Sequence, residues 1–436
     1  MTGMLSLPED IIEEIALLLS NDKDVVNLAS TCKTIWRVIH LPTSFVWRQK
    51  FKLSYDPTRA AQEEGAQRSR IIPPLYKSRQ RALHKTLRFK LGFRPHEVVA
   101  LSLLRTLLVE SNGVENEQTG IVNGRNLELI RHYAFEKSDM IMWQRIRGYG
   151  GPAPSALLLV IQVMLAFLFL DPVQPVAFDL FAKSQAAVYQ SPFTHNLFNI
   201  NHPGGVDLGL VNHMLNFFKY HMKNAHSGEL FGQLIETEPS SRPHVWAGLL
   251  SQGSHDVGDI SLPRVWLGAS ASLHQDELRA IRSDHQEEGK VYSDRFSEEL
   301  EEMHLRIADT NHQTPEALLM ANYLQLYTPI GSTYARVAGS GVDDREFLLE
   351  GRIFSLPPQE LVYGWYRIIL VRWYPQDHFA LGSVYEGVIS PGNQIMMGKW
   401  WEQRNEHPDT WESGPWILWA RSQRATNDVA NAWHLP

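Results

Sequence analysis

From about residue 240 the chain changes texture, and this change limits its possible folds more than any other feature. Aromatic and β-branched runs of five to eight residues alternate there with Gly, Pro, Asn and Asp, the pattern of antiparallel strands joined by turns. The expected strands are 245–250, 265–267, 347–354, 365–374, 383–389, 394–401 and 416–420. SPGNQ at 390–394 has the chemistry of a hairpin connection. One amphipathic helix is expected within the sheet region, because Phe296, Leu300, Met303 and Ile307 share a helical face. Thr314-Pro315-Glu316 is placed to cap a second. The expectation for 236–436 is an antiparallel β-rich domain, a barrel or a sandwich.

Everything before it has helical periodicity, so the fold class is α+β. A length of 436 residues divides into two or three domains at roughly 150 residues each. The composition shifts suggest a helical unit at 1–55, a basic helical region at 56–150 and a further helical region at 151–235. In the first unit Ser6 is placed to cap a helix opened by Pro8 and Glu9, with Ile11, Ile12, Ile15, Leu18 and Leu19 following at helical spacing. Asp24 is placed to cap a second helix carrying Val25, Leu28, Ala29, Cys32 and Trp36 as one stripe. LPTSF at 41–45 reads as a turn, after which Phe45, Val46, Trp47 and Phe51 close the unit.

Residues 68–94 hold nine Lys or Arg and no acid, and Leu83, Leu87 and Leu91 recur every four residues. They predict an amphipathic helix with a basic outer face, read either as a solvated face paired with the acidic 284–302 stretch or, against it, as a surface attracting RNA, DNA or anionic lipid. Helices are also expected over 98–109, 127–143, 156–170 and 206–222. The 156–170 run is apolar except for Gln162. As a helix it would span about 22 Å against a hydrocarbon core of roughly 30 Å, and it lacks basic flanks, so it is expected to be a buried core helix rather than a membrane span.

The chemistry that can be searched for by spacing is absent. There is no G-x-S-x-G elbow, no H-E-x-x-H pair, no phosphate loop and no dinucleotide fingerprint. His195, His202, His213, His221 and His226 crowd one region, but His213 and His221 stand two helical turns apart, too far to converge on a metal. No catalytic residue, metal or cofactor is therefore expected. A net charge of −7 argues against a generally basic nucleic-acid binder. The single cysteine, Cys32, leaves no disulfide framework and suits a reducing compartment, cytoplasmic or nuclear. The N-terminus has no basic region before an apolar core, so no secretory leader is expected.

The 7–51 stretch resembles an F-box. The residues that carry the likeness are Leu7-Pro8, Glu9 and Asp10, Ile15, Leu19, Val25, Leu28, Cys32-Lys33 and Trp47-Arg48. Ile35 stands where that family usually has an aromatic, the 20–24 loop is longer than the family's by one residue, and an extra residue or two precedes Trp47. A unit of this size cannot bury all its apolar side chains alone. The resemblance implies docking on a Skp adaptor, and through it on a cullin, in the substrate receptor of an SCF-type ubiquitin ligase. It implies Leu7, Pro8, Ile11, Ile15, Leu19, Val25, Leu28 and Trp47 as the contacts. Segments 265–282, 346–373, 385–401 and 413–420 are similar to the C-terminal region of a group of fungal F-box proteins, with Lys399 in place of an arginine. They are also loosely similar to the barrel-like substrate domain of the cyclin-binding F-box proteins.

On that likeness the β-domain would present an unidentified protein target. The alternative is a small-ligand or lipid-binding barrel whose F-box binds Skp without forming an active ligase. Trp365, Trp373, Trp400 and Trp401 are candidates for a recognition face or a pocket, against simple core packing. Trp400 and Trp401, being adjacent on a strand, must face opposite sides. A side-chain-filled barrel interior would favour protein docking, and an open cavity of several hundred Å³ a ligand.

Overall fold

The N-terminal unit is built from four short helices. In the computed structural model they are α1 (Glu9–Leu18), α2 (Asp22–Ala29), α3 (Lys33–His40) and α4 (Phe45–Ser54). Pro8 precedes α1, with Glu9 and Asp10 in the first turn, where negative charge meets the helix N-terminus favourably. Asn21, not Asp24, caps α2, accepting from the Lys23 N–H at 2.9 Å. The Ser30 and Thr31 hydroxyls donate back to the Val26 and Leu28 carbonyls, which ends α2. Extended Cys32 then starts α3, its Sγ accepting from the Ile35 N–H at 3.5 Å. The expected single stripe is therefore split between two helices, and Trp36 is 56% exposed. The described residues are 7–41, 44–56, 66–83, 87–111, 114–115, 122–134, 138–139, 153–167, 170, 181–190, 197–199, 205–224, 229–238, 241–243, 260–283, 289–308, 324–325, 332–343, 345–375, 381–402 and 412–421. The expected cap at Ser6, the 245–250 strand and the 314–316 cap lie outside them.

The basic region differs from expectation in a way that fixes the N-terminal unit. Its helix, α5 (Ala66–Leu83), stops at Leu83, and Leu87-Arg88 pairs as a short parallel strand with Ser138-Asp139. Arg79, expected on a solvated face, is interior. Its guanidinium lies 5.3 Å and 5.1 Å from the Phe51 and Tyr55 ring centroids and donates to Glu110 at 2.6 Å. Burial raises the pKa of Glu110, and Arg79 opposes that rise. On the same helix Tyr76 packs against Trp47, with ring centroids 5.6 Å apart, and its hydroxyl donates to Asp22 at 2.7 Å.

The remaining helices form a layer. They are α6 (Pro95–Val109), α7 (Arg125–His132), α8 (Ala156–Phe167), α9 (Phe181–Tyr189), α10 (Leu208–Lys223) and α11 (Glu229–Glu236). The apolar run is α8, which packs on α6 and α10 with Val160, Ile161, Val163, Met164 and Leu165 fully buried. Among the described residues no helix is long and apolar enough to cross a membrane. Where α9 meets α10, the Ser184 hydroxyl takes a hydrogen bond from Asn216 at 2.8 Å and lies 3.3 Å from His213 Nδ1.

The C-terminal part is a closed antiparallel barrel. Its strands are β1 (Val265–Ser272), β2 (Glu301–Ile307), β3 (Ala335–Val342), β4 (Glu346–Ser355), β5 (Tyr366–Trp373), β6 (Leu381–Ile389), β7 (Ile395–Glu402) and β8 (Ser413–Ala420), with α12 (Gln275–Arg282) after β1. Each strand pairs with the next, and β8 returns to β1 through Trp416 opposite Ser270 and Ala420 opposite Trp266. The expected amphipathic helix over 296–307 is overturned, since 301–307 is β2. Its inward residues are Glu301, Met303 and Leu305, a period of two that the helical reading of Met303 and Ile307 concealed. Strand β3 went unanticipated because ARVAGSGV carries no aromatic residue and only two branched ones, Val337 and Val342.

Trp266, Met303, Leu305, Phe347, Ile368 and Trp416 fill the barrel's interior. On the outer wall, Leu267, Ala269, Val388, Met397, Ile417 and Trp419 share one hydrophobic cluster with the helices, continuous back to Ile12. Gly398 faces inward where strands crowd: a Cβ there would lie 1.9 Å from the Glu386 carbonyl oxygen and 2.5 Å from Gly387 Cα.

Gly398→Ala should therefore destabilise the chain by about 1–3 kcal/mol in denaturant melts. Gly232→Ala, in α11 with nothing within 4 Å of the added Cβ, should stabilise it by about 0.5–1 kcal/mol. A second expectation concerns acid. Burial pushes the His213 pKa down from 6.5 to about 4, so the unfolded chain takes up this proton first as pH falls. The histidine's contribution is complete above 6.5 and is lost between 6.5 and 4. Discounted for its partial exposure, the loss is roughly 2 kcal/mol. Melts at both ends of that window should show His213→Gln losing less stability than the parent by that amount.

Candidate functional site

Two surfaces carry chemistry that packing alone does not explain. The first is on α1. Ile12 and Ala16 point inward, and the 3.6-residue period then lays Pro8, Ile11, Ile15 and Leu18 along one outer side. Pro8 is exposed and Ile15 half-buried; Ile11 is 37% and Leu18 85% exposed. Leu7, Leu19 and Leu28 are half-buried against the core. Val25 and Trp47 are buried, with the Trp47 indole donating to the Ile39 carbonyl at 2.6 Å. On α3 the exposed Trp36 ring lies 5.1 Å from His40, and Arg37 bridges to Glu9 at 3.1 Å.

The second surface is one mouth of the barrel. The four tryptophans singled out from the sequence do not form it. Trp365, Trp373 and Trp401 are buried, Trp373 and Trp401 in one cluster on the outer wall. Trp400 turns the opposite way, against the interior cluster, and donates to the Ala271 carbonyl at 3.1 Å. Trp373 also lines a recess of about 720 Å³ on the outer wall, beside Arg306, Arg336 and Glu350. These rings are packing residues, not an exposed aromatic face.

The mouth itself opens into a recess of about 1150 Å³, reaching inward to Ser270, Glu301, Phe347 and Arg372. Arg372 continues the inward series of Tyr366, Ile368 and Leu370, so strand alternation delivers a guanidinium into the barrel end. Asp343 accepts from it at 3.0 Å and from the Tyr374 hydroxyl at 2.8 Å. The guanidinium lies 5.1 Å from the Phe347 ring and 5.6 Å from each of Tyr374 and Tyr385. Burial works against its charge, but Tyr385, Glu301, Tyr374 and Asp343 outweigh burial and raise its pKa. Burial, and then Glu301, pushes the Tyr385 phenol up; burial likewise lifts Tyr374 to about 12. Opposite them the Ser270 hydroxyl donates to Glu301.

Ser270 is engaged by Glu301, and His304 by Glu302 at 3.0 Å. Among the described residues no group of His, Cys, Asp or Glu is placed to hold a metal. The sequence held one signal of the mouth, an arginine at an inward position whose strand neighbours on that side, Tyr366, Ile368 and Leu370, are aromatic or aliphatic. Glu301 was hidden because β2 read as a helix. Comparison with models of protein families, with curated proteins and with solved structures gave no match.

If Arg372 and Asp343 act as a unit, a double-mutant cycle of Arg372→Gln and Asp343→Asn should give a coupling of about 1–2 kcal/mol in denaturant melts. Strict additivity would show that the pair contributes nothing jointly.

Proposed function

We propose that this chain is a non-catalytic substrate receptor of an SCF-type ubiquitin ligase. In this reading α1 to α4 dock on a Skp adaptor, and the barrel mouth presents a target protein. The observation that carries it is the exposed apolar side of α1. Ile11 and Leu18 stay in solvent while Val46, Trp47 and Phe51 of the same unit are buried. An apolar strip left open beside a well-packed core fits a partner's surface. It also coincides with the Leu7-Pro8 end that carries the F-box likeness. The chemistry would be proximity: a target lysine is held near a charged ubiquitin-conjugating enzyme, raising its effective concentration. The Arg79 contacts support this role by fixing the docking unit against α6, so that the geometry from adaptor to target is kept.

One observation favours a second reading. The mouth recess exceeds the several hundred Å³ that a small ligand needs, which suits a ligand-binding barrel whose N-terminal unit binds Skp without ligase assembly. Ubiquitin transfer to any co-purifying protein separates the two readings.

Calorimetric titration with a Skp adaptor tests the docking surface. Ile11→Asp with Leu18→Asp should abolish binding while leaving the melting temperature nearly unchanged, because both side chains already face water. Trp47→Ala should instead cost about 3–5 kcal/mol of stability. Full-affinity binding by the double variant would overturn the assignment.

A further inference from the structure

The outer side of α6 is open although its composition is that of a covered helix. Ala100, Leu101, Leu104, Leu107 and Leu108 face the core. The outward positions Val98, Val99, Ser102, Arg105 and Thr106 carry a single charge among them. A helix apolar on both sides is normally buried all round, yet Val99 is 59% exposed and Val98 is exposed beside it. Phe93 extends the strip beyond the helix start and is 63% exposed. Its loop is fixed by the buried Glu97 carboxylate, which accepts from the backbone N–H groups of Lys90, Gly92 and Arg94 at 3.1, 2.9 and 3.4 Å. Phe93 and Val98 occupy the positions of a hydrophobic staple, which orders the entry of the chain but leaves both side chains exposed.

A second, independent feature meets the same side. Between β4 and β5 the chain makes a two-residue hairpin, in which Gln359 and Val362 exchange backbone hydrogen bonds at 3.0 and 2.9 Å. Its turn residues, Glu360 and Leu361, have φ of +48° and +64°. In that left-handed region Asn-Gly is the usual pair, and a bulky L side chain is strained. Arg105 donates to the Glu360 carbonyl at 3.1 Å, which sets the turn against the outer side of α6. Val362 is buried, but Leu361 is 59% exposed. Backbone strain persists where the surroundings enforce it, and it gathers at binding sites. Here it holds a leucine out in water, where the packing of the chain gains nothing from it.

We propose that this face binds an amphipathic, acidic helix of a partner protein, with the guest's apolar stripe laid along Phe93, Val98, Val99 and Leu361. Val98 and Arg105 are about 10 Å apart along the axis, which matches two turns of such a guest. Lys90 and Arg94 flank one end of the strip and Arg105 the other, against Glu360 at the turn, so carboxylates on the guest complement it. A second copy of this chain would set those cations largely against one another. The strip is broken by Ser102, Arg105 and Thr106, where a helix lying in a lipid surface is continuously apolar on one side. The inference stands apart from adaptor docking by α1.

The test uses the full chain and fluorescence anisotropy with three designed peptides. The first is a helix with leucines along one side and glutamates along the other, the second has lysine at each glutamate, and the third is a shuffled form of the first that loses the stripe. The acidic helix should bind, more weakly as salt rises, and the other two at least about tenfold more weakly still. Leu361→Gly should raise the melting temperature, because glycine fits the turn, while weakening the acidic helix about tenfold. Val99→Asp should weaken it at least as much and leave the melting temperature unchanged. Skp affinity should be unaffected in both variants. No binding of the acidic helix, equal binding of the lysine form, or full-affinity binding by Leu361→Gly overturns the proposal. Binding to phosphatidylserine vesicles that Val99→Asp abolishes overturns it in favour of a lipid surface, and self-association that Val99→Asp abolishes overturns it in favour of a second copy. Skp affinity lost in either variant would make this face part of the adaptor contact and overturn it as well.

Discussion

Closure of the sheet is the constraint from which the rest of this structure follows. Once β8 pairs with β1, the barrel has no open edge, and every strand must divide its side chains between a narrow interior and an outer wall. The interior is filled by Trp266, Trp416, Phe347 and their neighbours, with glycines such as Gly398 where strands approach too closely for a Cβ. The outer wall is apolar along β1, β6, β7 and β8, so it needs a cover, and the helical layer supplies it through one shared cluster. The interior filling stops short of one end. There alternation brings in Arg372 and Glu301 in place of apolar groups, and the mouth remains open.

The N-terminal unit is joined to this body by burial of charge as well as by packing. Arg79 sits against the Phe51 ring of α4, the Tyr55 ring that follows it and the Glu110 carboxylate just past α6. Removing one partner of such a pair leaves a buried charge uncompensated, so the contact is stronger as a clamp than as a source of stability. Lys50, bridged to Asp22 at 3.0 Å, and Tyr76, on the same carboxylate, extend the polar seam along the unit. With its inner side committed to α5, the unit exposes the α1 face.

Much of the barrel was legible because alternation and turn chemistry are local. Strands β4 to β8 fall within a few residues of their sequence limits, and the 390–394 hairpin joins β6 to β7 as its residues required. β2 was not legible, since Met303 and Ile307 satisfy a helical period while Glu301, Met303 and Leu305 satisfy a strand one, and only the neighbouring strands decide. The side of α1 bearing Ile11 and Leu18 could be read from spacing. That Trp47 lies inside could not, because Tyr76, which packs on it, comes from a helix whose sequence signalled only positive charge. The mouth needed strands far apart in the chain, Ser270 on β1 and Arg372 on β5, and no local pattern joins them.

The central claim, that the chain docks an adaptor through α1 and α3 while keeping the barrel mouth free for a target, is tested most directly by amide hydrogen exchange with and without a Skp adaptor. The account predicts new protection confined to residues 8–18 and 33–41, with exchange around β2, β3 and β4 unchanged. Protection appearing at the mouth instead, or no protection along α1, would contradict it.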